Sequence, residues 1–267
     1  MLDREIILCT ARRLHEAEKT RVQIRQISLD HPDIEIEDAY AIQREWMALK
    51  LAEGRKLKGR KIGLTSKAMQ YSSQIDEPDY GTLLDDMFFA DGAEIPMTRF
   101  IAPRMEVELA FRLGKRLPGA ECTLFDVLDA TDYVVPAVEI IDARCHQIDP
   151  ESKRPRKVMD TIADNAAAAG LVLGGRPVRP AEIDLRWVSA LCFRNGVIEE
   201  SGVAAAVLNH PANGVSWLAH KLAPFGVSLE AGDLILGGSF TRPVGIRPGD
   251  VFHVDYAALG TISFRFV

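Results

Sequence analysis

Two glutamates stand two residues apart in an otherwise apolar segment, Glu106-Val107-Glu108. The alternation of residues 104–113 predicts a β-strand, and positions i and i+2 of a strand project from the same side. Two carboxylates placed in this way repel each other unless a cation lies between them. Hard oxygen ligands of this kind suit Mg²⁺ or Mn²⁺. The alternative, on spacing alone, is an exposed strand face on which both carboxylates are solvated.

A third glutamate, Glu139, interrupts the apolar run of residues 133–141, which is typical of a buried strand. A buried carboxylate costs several kcal/mol unless it is paired or bound to a metal. Metal coordination and a salt bridge to a nearby arginine such as Arg144 would both satisfy it. The residues themselves leave these two interpretations open, and they do not establish that Glu139 approaches Glu106 and Glu108.

Other catalytic chemistry has little support in the sequence. There is no G-x-S-x-G elbow, no G-x-G-x-x-G loop and no phosphate-binding P-loop. The four cysteines are too far apart for a C-x-x-C pair, so neither a zinc framework nor a disulfide framework is indicated. His31 with Glu35 or Glu37 is the only pair that suggests a hydrolase with an activated water, and it lies in a turn.

The elements that must position the glutamates begin with helices. Apolar residues recur at helical spacing near the N-terminus, and a second helix is expected from about Glu37 to Gly54. Its apolar stripe is formed by Ile42, Trp46, Leu49 and Leu51. Residues 28–33 predict a turn-rich connection between these helices. A third helix is expected over residues 213–222.

From about residue 58 the signals favour β-structure. Two Gly-Asp turns, at 232–233 and 249–250, each lead into an apolar segment, and residues 251–266 predict a hairpin. The order of helices followed by many strands indicates an α+β fold with a strongly twisted or rolled sheet. We expect an N-terminal helical region, residues 1–57, and a β-rich catalytic core, residues 58–267, that form one continuous structural unit.

Composition narrows the class of protein. The formal net charge of −6 argues against a nucleic-acid partner, because phosphate binding needs a surplus of cations on one face. A short basic run, KRPRK at residues 153–157, predicts either a solvated loop or an anion site. The charged N-terminus does not resemble a signal peptide, and no apolar run approaches the ~20 residues of a membrane span. A cytoplasmic protein without a membrane partner is expected.

Several motifs resemble those of one enzyme family. They are KGRKIGLTS at residues 58–66, EPDYG at 77–81, LDDMF at 84–88, RMEVE at 104–108, EIID at 139–142 and GGSFT at 237–241. Together they resemble the hydratase/decarboxylase branch of the fumarylacetoacetate hydrolase superfamily, over the whole length of the chain. The resemblance implies a rolled mixed β-sheet core with an N-terminal helical region. It also implies a homo-oligomer, a decamer of two pentameric rings.

The same resemblance implies the roles of individual residues. Glu106, Glu108 and Glu139 would hold the divalent metal, Mg²⁺ or Mn²⁺. Lys61 and Asp79 would transfer protons, with Lys61 acting as a base because nearby cations would favour its neutral form. Without the resemblance, the sequence favours a surface position for Lys61 and a turn position for Asp79.

Substrate contacts are expected at three further residues. Leu84 and Ser239 follow from the resemblance, although Ser239 also fits an ordinary Gly-rich turn. A second carboxylate on the substrate needs a cationic partner, for which a bidentate arginine is the best geometric match. Arg156 in the basic run and Arg25 are the candidates, and we favour Arg156 because of the higher charge density around it.

The activity implied is the addition of water to a 2-oxo acid that carries a carbon–carbon double bond and a second carboxylate, in the catabolism of aromatic compounds. Three rival activities use the same residues or the same fold. They are a decarboxylase of a 2-oxo-3-hexenedioate, a hydratase of the shorter 2-hydroxypenta-2,4-dienoate and an acylpyruvate hydrolase. A scaffold protein that binds a partner enzyme is a fourth alternative, and the presence of all three glutamates argues against it.

Overall fold

The computed structural model describes all residues from Met1 to Val267. The chain forms seven α-helices: α1 (Arg4–Thr20), α2 (Ile27–Asp30), α3 (Ile36–Ala52), α4 (Lys67–Ser73), α5 (Leu124–Ala130), α6 (Val158–Ala163) and α7 (Pro211–Leu222). None of these helices has the length and apolar character needed to cross a membrane.

The chain also forms thirteen β-strands, and short 3-10 turns connect several of the elements. The strands are β1 (Leu57–Gly63), β2 (Asp79–Leu84), β3 (Phe88–Ala90), β4 (Glu94–Ile95), β5 (Arg104–Leu113), β6 (Thr131–Ile141), β7 (Ala168–Leu173), β8 (Ser189–Arg194), β9 (Val197–Val203), β10 (Leu234–Leu236), β11 (Val244–Gly245), β12 (Val251–Asp255) and β13 (Thr261–Phe266).

The strands form two sheets. The larger is a mixed, curled sheet in the order β2-β1-β10-β5-β6-β7-β3, with β11 paired to β5. In it β1 pairs with β10 and β3 pairs with β7 in parallel, whereas the remaining pairs are antiparallel. The smaller sheet has the order β4-β13-β12-β8-β9. The predicted α+β fold with a rolled mixed sheet is thus confirmed.

The long antiparallel pair β5–β6 forms the middle of the larger sheet. Most of its side chains are buried on both faces, which explains why its sequence is apolar and rich in β-branched residues. Such a pair is rigid, because its side chains are packed on both sides. A carboxylate at a buried position of these strands is therefore held in a dry and well-ordered environment.

The predicted helices and the C-terminal hairpin are confirmed, with two local differences. Residues 28–33 are not only a turn, because the single-turn helix α2 occupies the first part of this segment. In α3, Ile42 and Trp46 are buried as expected, but Leu51 is 45% exposed near the end of the helix. Met47 takes a buried position on that helix instead.

The N-terminal helices share the core of the sheet. The ring of Tyr40 in α3 stacks on Tyr80 in β2 with centroids 4.5 Å apart. The amide of Gln43 donates hydrogen bonds to Tyr80 O at 3.0 Å and to Ile162 O at 2.8 Å, so it ties α3 to both β2 and α6. A single buried apolar cluster includes Leu14, Trp46 and the central strands. The boundary between a helical region, residues 1–57, and a β-rich core, residues 58–267, stays a prediction.

The close approach of β1 and β10 gives a test of the fold. A Cβ at Gly59 would overlap the carbonyl group of Leu234 on the neighbouring strand. Gly59→Ala should therefore lower the free energy of unfolding by about 2–4 kcal/mol, since one of the two backbones must move. Gly245→Ala is the matched control, because a Cβ there meets no atom within 4 Å. Urea unfolding of both variants measures the difference, and equal midpoints would contradict the described packing.

Candidate metal centre and active-site cavity

The register of β5 and β6 brings the three glutamates together. Glu106 lies directly opposite Glu139, and Glu108 follows two residues along the same face of β5. One carboxylate oxygen from each of the three lies within 4.8 Å of the others. The sequence predicted that Glu106 and Glu108 share a face, and the structure adds Glu139 to them. The alternative salt bridge from Glu139 to Arg144 does not form, because Arg144 pairs with Asp164.

Two of these carboxylates, Glu108 and Glu139, are buried and poorly satisfied by the protein itself, whereas Glu106 is half-buried at the edge of the cleft. Glu108 and Glu139 are each 0% exposed. Glu108 Oε1 and both carboxylate oxygens of Glu139 accept no hydrogen bond, while Glu108 Oε2 accepts one from Gly238 N at 2.9 Å. Buried carboxylate oxygens without partners are costly unless a cation binds them. The donor set and its geometry therefore fit a hard divalent metal such as Mg²⁺ or Mn²⁺.

Burial and mutual repulsion shift the pKa of each carboxyl group upwards. Burial raises the pKa of Glu106 to about 7, with Lys61 opposing the shift and Glu139 adding to it. Burial, followed by repulsion from Glu139, raises the pKa of Glu108 well above its ordinary value. The pKa of Glu139 is also raised by burial, although Lys61 opposes the change. The cluster thus resists carrying three negative charges without a cation.

Lys61 supplies part of that positive charge. Its side chain is 3% exposed, and Nζ donates a hydrogen bond to Ala166 O at 3.0 Å. Nζ also lies 3.2 Å from Glu139 Oε2, in a buried ion pair that departs from hydrogen-bond geometry. Burial disfavours the ammonium form, but the carboxylates of Glu139 and Asp79 outweigh it and raise the pKa of Lys61. Without a metal the ammonium form of Lys61 is thus favoured, because carboxylates surround it. The neutral amine expected beside a bound metal stays a prediction.

Asp79 lies beside Lys61 at the start of β2. It is buried, and it pairs with Gly63 across the β1–β2 ladder. A Cβ at Gly63 would collide with the Asp79 carboxylate and lie 3.3 Å from Lys61 Nζ, so only glycine leaves room for both groups. Burial raises the pKa of Asp79, with Lys61 and Arg156 acting in the opposite direction. The structure thus brings a carboxyl group and an ammonium group to one place.

Two adjoining cavities open next to Glu106. The first, of 320 Å³, is lined by Lys61, Gly63, Asp79, Arg104, Glu106, Arg156, Ala166 and neighbouring residues. The second, of 430 Å³, is lined by Gly63, Thr65, Glu106, Glu200, Ser239, Thr241, Arg242 and neighbouring residues. Since both include Gly63 and Glu106, they are two parts of one cleft. The metal-binding candidates, Lys61 and Asp79 all lie at or next to this cleft.

Arg156 faces the first cavity with an unused donor. Its Nη1 is buried and has no hydrogen-bond partner. Arg25, the other candidate for an anion contact, lines neither cavity. Its guanidinium instead lies 3.4 Å from Asp149 Oδ1 and 3.8 Å from Asp30 Oδ1. Of the two arginines, only Arg156 therefore lines the cleft, and its contact with a substrate carboxylate stays a prediction.

The two other predicted substrate contacts differ in position. Ser239 lines the second cavity, and its Oγ lies 2.9 Å from Thr241 O and 3.2 Å from Thr241 N. Its hydroxyl would have to turn to reach a ligand. Leu84 is fully buried at the far end of β2 and lines neither cavity. Because a six-residue strand places its ends roughly 16 Å apart, the structure does not bring Leu84 to the site of Asp79.

The histidine and glutamates considered for a hydrolase do not line the cleft. His31 follows α2, and both Glu35 and Glu37 are exposed near the start of α3. Two features of the cleft were missed from the sequence. Arg104 was overlooked, although it shares the alternation of Glu106 on β5. The backbone turn that contains Ala166 gave no signal, because its alanines look like ordinary helix or core residues.

Comparison with known proteins identifies the family. Residues 57–267 match the family described as fumarylacetoacetate (FAA) hydrolase C-terminal. The chain belongs to this family. One relative is the 2-oxo-hept-4-ene-1,7-dioate hydratase of Escherichia coli. It is 71% identical to this chain over 267 residues, which is 100% of both chains. The 2-keto-4-pentenoate hydratase of Paraburkholderia xenovorans (strain LB400) is 39% identical over 96% of this chain and 93% of its own.

A solved structure of a relative has the same fold over the full chain. It is 4-oxalocrotonate decarboxylase from Pseudomonas putida G7, complexed with magnesium and adipate. The TM-score is 0.94 at 36% sequence identity, and the match covers 100% of this chain and 99% of that one. The same enzyme has also been solved with calcium and acetate. The family thus includes proteins that hold divalent metals within this fold.

The raised pKa of Glu106 predicts a specific pH dependence of stability without metal. A carboxyl group whose pKa is higher in the folded state than in the unfolded state binds more protons when folded, so its ionisation destabilises the protein as pH rises from about 4.5 to about 7. In EDTA, Glu106→Gln should therefore be as stable as wild type near pH 4.5. It should become the more stable protein above pH 7.

Thermal unfolding between pH 4.5 and 8 measures this difference, with Mg²⁺ as the second variable. Saturating Mg²⁺ should raise the Tm of wild type more than that of Glu106→Gln, since a bound ligand stabilises the state that binds it. A Tm difference in EDTA that does not change with pH would contradict the shifted pKa. Equal stabilisation of both proteins by Mg²⁺ would remove Glu106 from the metal centre.

Proposed function

We propose that the protein is a metal-dependent hydratase that converts 2-oxohept-4-ene-1,7-dioate to 4-hydroxy-2-oxoheptanedioate. The observation that carries this proposal is a cleft with a carboxylate cluster on one wall and the unpartnered guanidinium nitrogen of Arg156 on another. Such a cleft has a site for each end of a 2-oxo dicarboxylate. The name of the Escherichia coli relative, which is 71% identical over the full chain, supports the same reaction.

Mg²⁺, or Mn²⁺ in its place, is the proposed cofactor, held by Glu106, Glu108 and Glu139. When bound, it would supply Lewis-acid polarisation of the 2-oxo acid group. The magnesium in the solved relative supports this choice of metal. The carboxylates of the chain provide the negative charge that such an ion needs, and the burial of Glu108 and Glu139 excludes water that would weaken the interaction.

Lys61 and Asp79 are the proposed groups for proton transfer. Moving the double bond into conjugation removes a proton at C3 and adds one at C5, and hydration then adds OH at C4 and a proton at C3. Each step therefore needs a group that accepts a proton and a group that donates one. Lys61 and Asp79 line the same cavity and are adjacent, so one protonated and one unprotonated group can act together.

Two further residues would orient the substrate. Ser239 can offer its hydroxyl to a substrate carboxylate after it turns from its contact with Thr241. The guanidinium of Arg156 would bind the distal carboxylate, since a charged hydrogen bond is strong in a buried place. The adipate in the solved relative supports a site that accepts a dicarboxylate.

Three wider assignments belong to this proposal. The reaction would take place in the cytoplasm, as a step of homoprotocatechuate (4-hydroxyphenylacetate) degradation. The working form would be a homo-oligomer, a decamer of two pentameric rings. Sedimentation of the purified protein tests the last assignment, because a decamer of a 29.5 kDa chain differs clearly from a monomer or dimer.

The reaction is tested by following the proposed substrate with purified protein and Mg²⁺ by NMR. Formation of 4-hydroxy-2-oxoheptanedioate without release of carbon dioxide is the expected result. Carbon dioxide release from 2-oxo-3-hexenedioate at a higher kcat/KM would instead identify a decarboxylase. Faster turnover of 2-hydroxypenta-2,4-dienoate than of the seven-carbon substrate would identify a hydratase of the shorter compound.

Replacing Lys61 tests the proton-transfer role. Lys61→Ala should lower kcat by roughly 10²–10⁴-fold, as expected for loss of a general acid or base. Lys58→Ala, on the exposed part of the same strand, is the matched control and should keep full activity. Steady-state kinetics at saturating Mg²⁺ measures both. A loss of kcat below about threefold in Lys61→Ala would refute the role.

Replacing Arg156 tests recognition of the second carboxylate. Arg156→Ala should raise KM for the seven-carbon dioate by about tenfold or more, because a hydrogen bond to a charged group contributes about 1.5–3 kcal/mol. It should leave KM for 2-hydroxypenta-2,4-dienoate, which lacks that carboxylate, nearly unchanged. Arg154→Ala is the control from the exposed part of the same loop. An equal rise in KM for both substrates would show that Arg156 does not bind the distal carboxylate.

A further inference from the structure

The turn after α6 has an unusual backbone. Asn165, Ala166 and Ala167 have φ angles of 55°, 49° and 64°, so three consecutive residues lie in the left-handed region. None of them is glycine, and a Cβ disfavours this conformation at each position. Such a backbone persists only when its surroundings hold it in place, and strained backbone of this kind often lies at functional sites.

The side chain of Asn165 is the first of the contacts that hold this turn. It is fully buried, and its Oδ1 accepts a hydrogen bond from Thr82 N at 2.7 Å. Its Nδ2 donates to Thr82 O at 2.9 Å. The side-chain amide thus makes the two hydrogen bonds to the Thr82 backbone that a neighbouring strand would otherwise make. Both polar atoms of the side chain are used, and both partners belong to the backbone of the rigid sheet.

The residues on either side of Asn165 are fixed as well. Arg144 Nε donates to Asp164 Oδ1 at 2.5 Å, and Arg144 Nη2 donates to Asp164 O at 2.6 Å. At the other end of the turn, Ala167 O accepts a hydrogen bond from Asp142 N at 2.8 Å. The turn is thus attached to β2 by Asn165 and to the end of β6 by the contacts of Asp164 and Ala167.

The result is that one carbonyl group is directed at Lys61. Ala166 O accepts a hydrogen bond from Lys61 Nζ at 3.0 Å, and Glu139 Oε2 lies 3.2 Å from the same Nζ. The attraction of the carboxylates alone would leave an ammonium group on a flexible side chain free to settle at any of several positions beside them. A neutral acceptor at a fixed position therefore determines where Nζ stands in the cavity.

We propose that Asn165 is a positioning residue for Lys61. Its side chain holds the left-handed turn against β2, and the turn presents the Ala166 carbonyl that sets the place of Lys61 Nζ relative to the substrate. Asp164 and Arg144 support the same turn. This inference rests on the proposed role of Lys61 in proton transfer. It predicts that Asn165 affects catalysis without touching substrate or metal.

The test combines Asn165→Gly with Lys61→Ala. Glycine accepts the backbone conformation, so this variant removes the side-chain contacts with little added strain. Asn165→Gly should lower kcat by about tenfold or more, since a misplaced catalytic group loses much of its effect. KM and the Kd for Mn²⁺, measured by calorimetry, should stay within about twofold. In the Lys61→Ala background, the same change should lower kcat by less than about twofold, since both variants affect the same group.

Ser28→Ala provides a matched loss of stability at the other end of α6. Ser28 Oγ donates to Asp160 Oδ2 at 2.6 Å, in a buried contact that does not involve the turn. This control should lower the Tm but leave kcat per bound Mn²⁺ unchanged. If Ser28→Ala lowers kcat as much as Asn165→Gly does, the effect is one of general stability and the inference is overturned.

The remaining outcomes separate the inference from the proposed function. An unchanged kcat in Asn165→Gly, or a full additional loss in the Lys61→Ala background, overturns the positioning role alone. Full activity of the single variant Lys61→Ala overturns the role of Lys61 and the positioning role with it. If Asn165→Gly does not fold, Asn165→Asp replaces it, because aspartate keeps the acceptor for Thr82 N but loses the donor to Thr82 O. Its kcat is then compared with and without Lys61→Ala in the same way.

Discussion

The structure depends on one electrostatic constraint, the presence of three neighbouring glutamates in the middle of a β-sheet, two of them fully buried and Glu106 half-buried at the cleft. Glu106, Glu108 and Glu139 face one another across β5 and β6, and only Lys61 lies close enough to pair with one of them. Without a further cation, burial and repulsion keep the pKa of each carboxyl group raised. A divalent metal held by the three carboxylates would convert this unfavourable arrangement into a stable site.

The surrounding elements can be understood from this constraint. The β5–β6 pair is packed on both faces, so its register fixes the separation of the carboxylates. The neighbouring β1 and β2 bring Lys61 and Asp79 to the same cleft, where Gly63 leaves the room that both groups need. The basic run, residues 153–157, brings the unpartnered guanidinium nitrogen of Arg156 to another wall of this cleft.

The sequence predicted local features better than contacts between distant segments. The i, i+2 spacing of Glu106 and Glu108 was sufficient to place them on one face, because strand geometry has a strict period. The approach of Glu139 depended on the register between two strands, which spacing within one strand does not determine. The raised pKa of Lys61 in the metal-free chain had no signal in the sequence, since it depends on carboxylates from other strands. The left-handed turn at Ala166 had no signal at all, because alanine does not favour that conformation.

The most direct measurement of the central claim is an anomalous-scattering crystal structure of the protein with Mn²⁺ and oxalate, a mimic of the 2-oxo acid end of the substrate. One anomalous peak is expected in contact with an oxygen of each of Glu106, Glu108 and Glu139, with oxalate completing the coordination from the cleft. Arg156 should remain free for the distal carboxylate. A peak elsewhere, or oxalate bound with no metal at the three glutamates, would contradict the account.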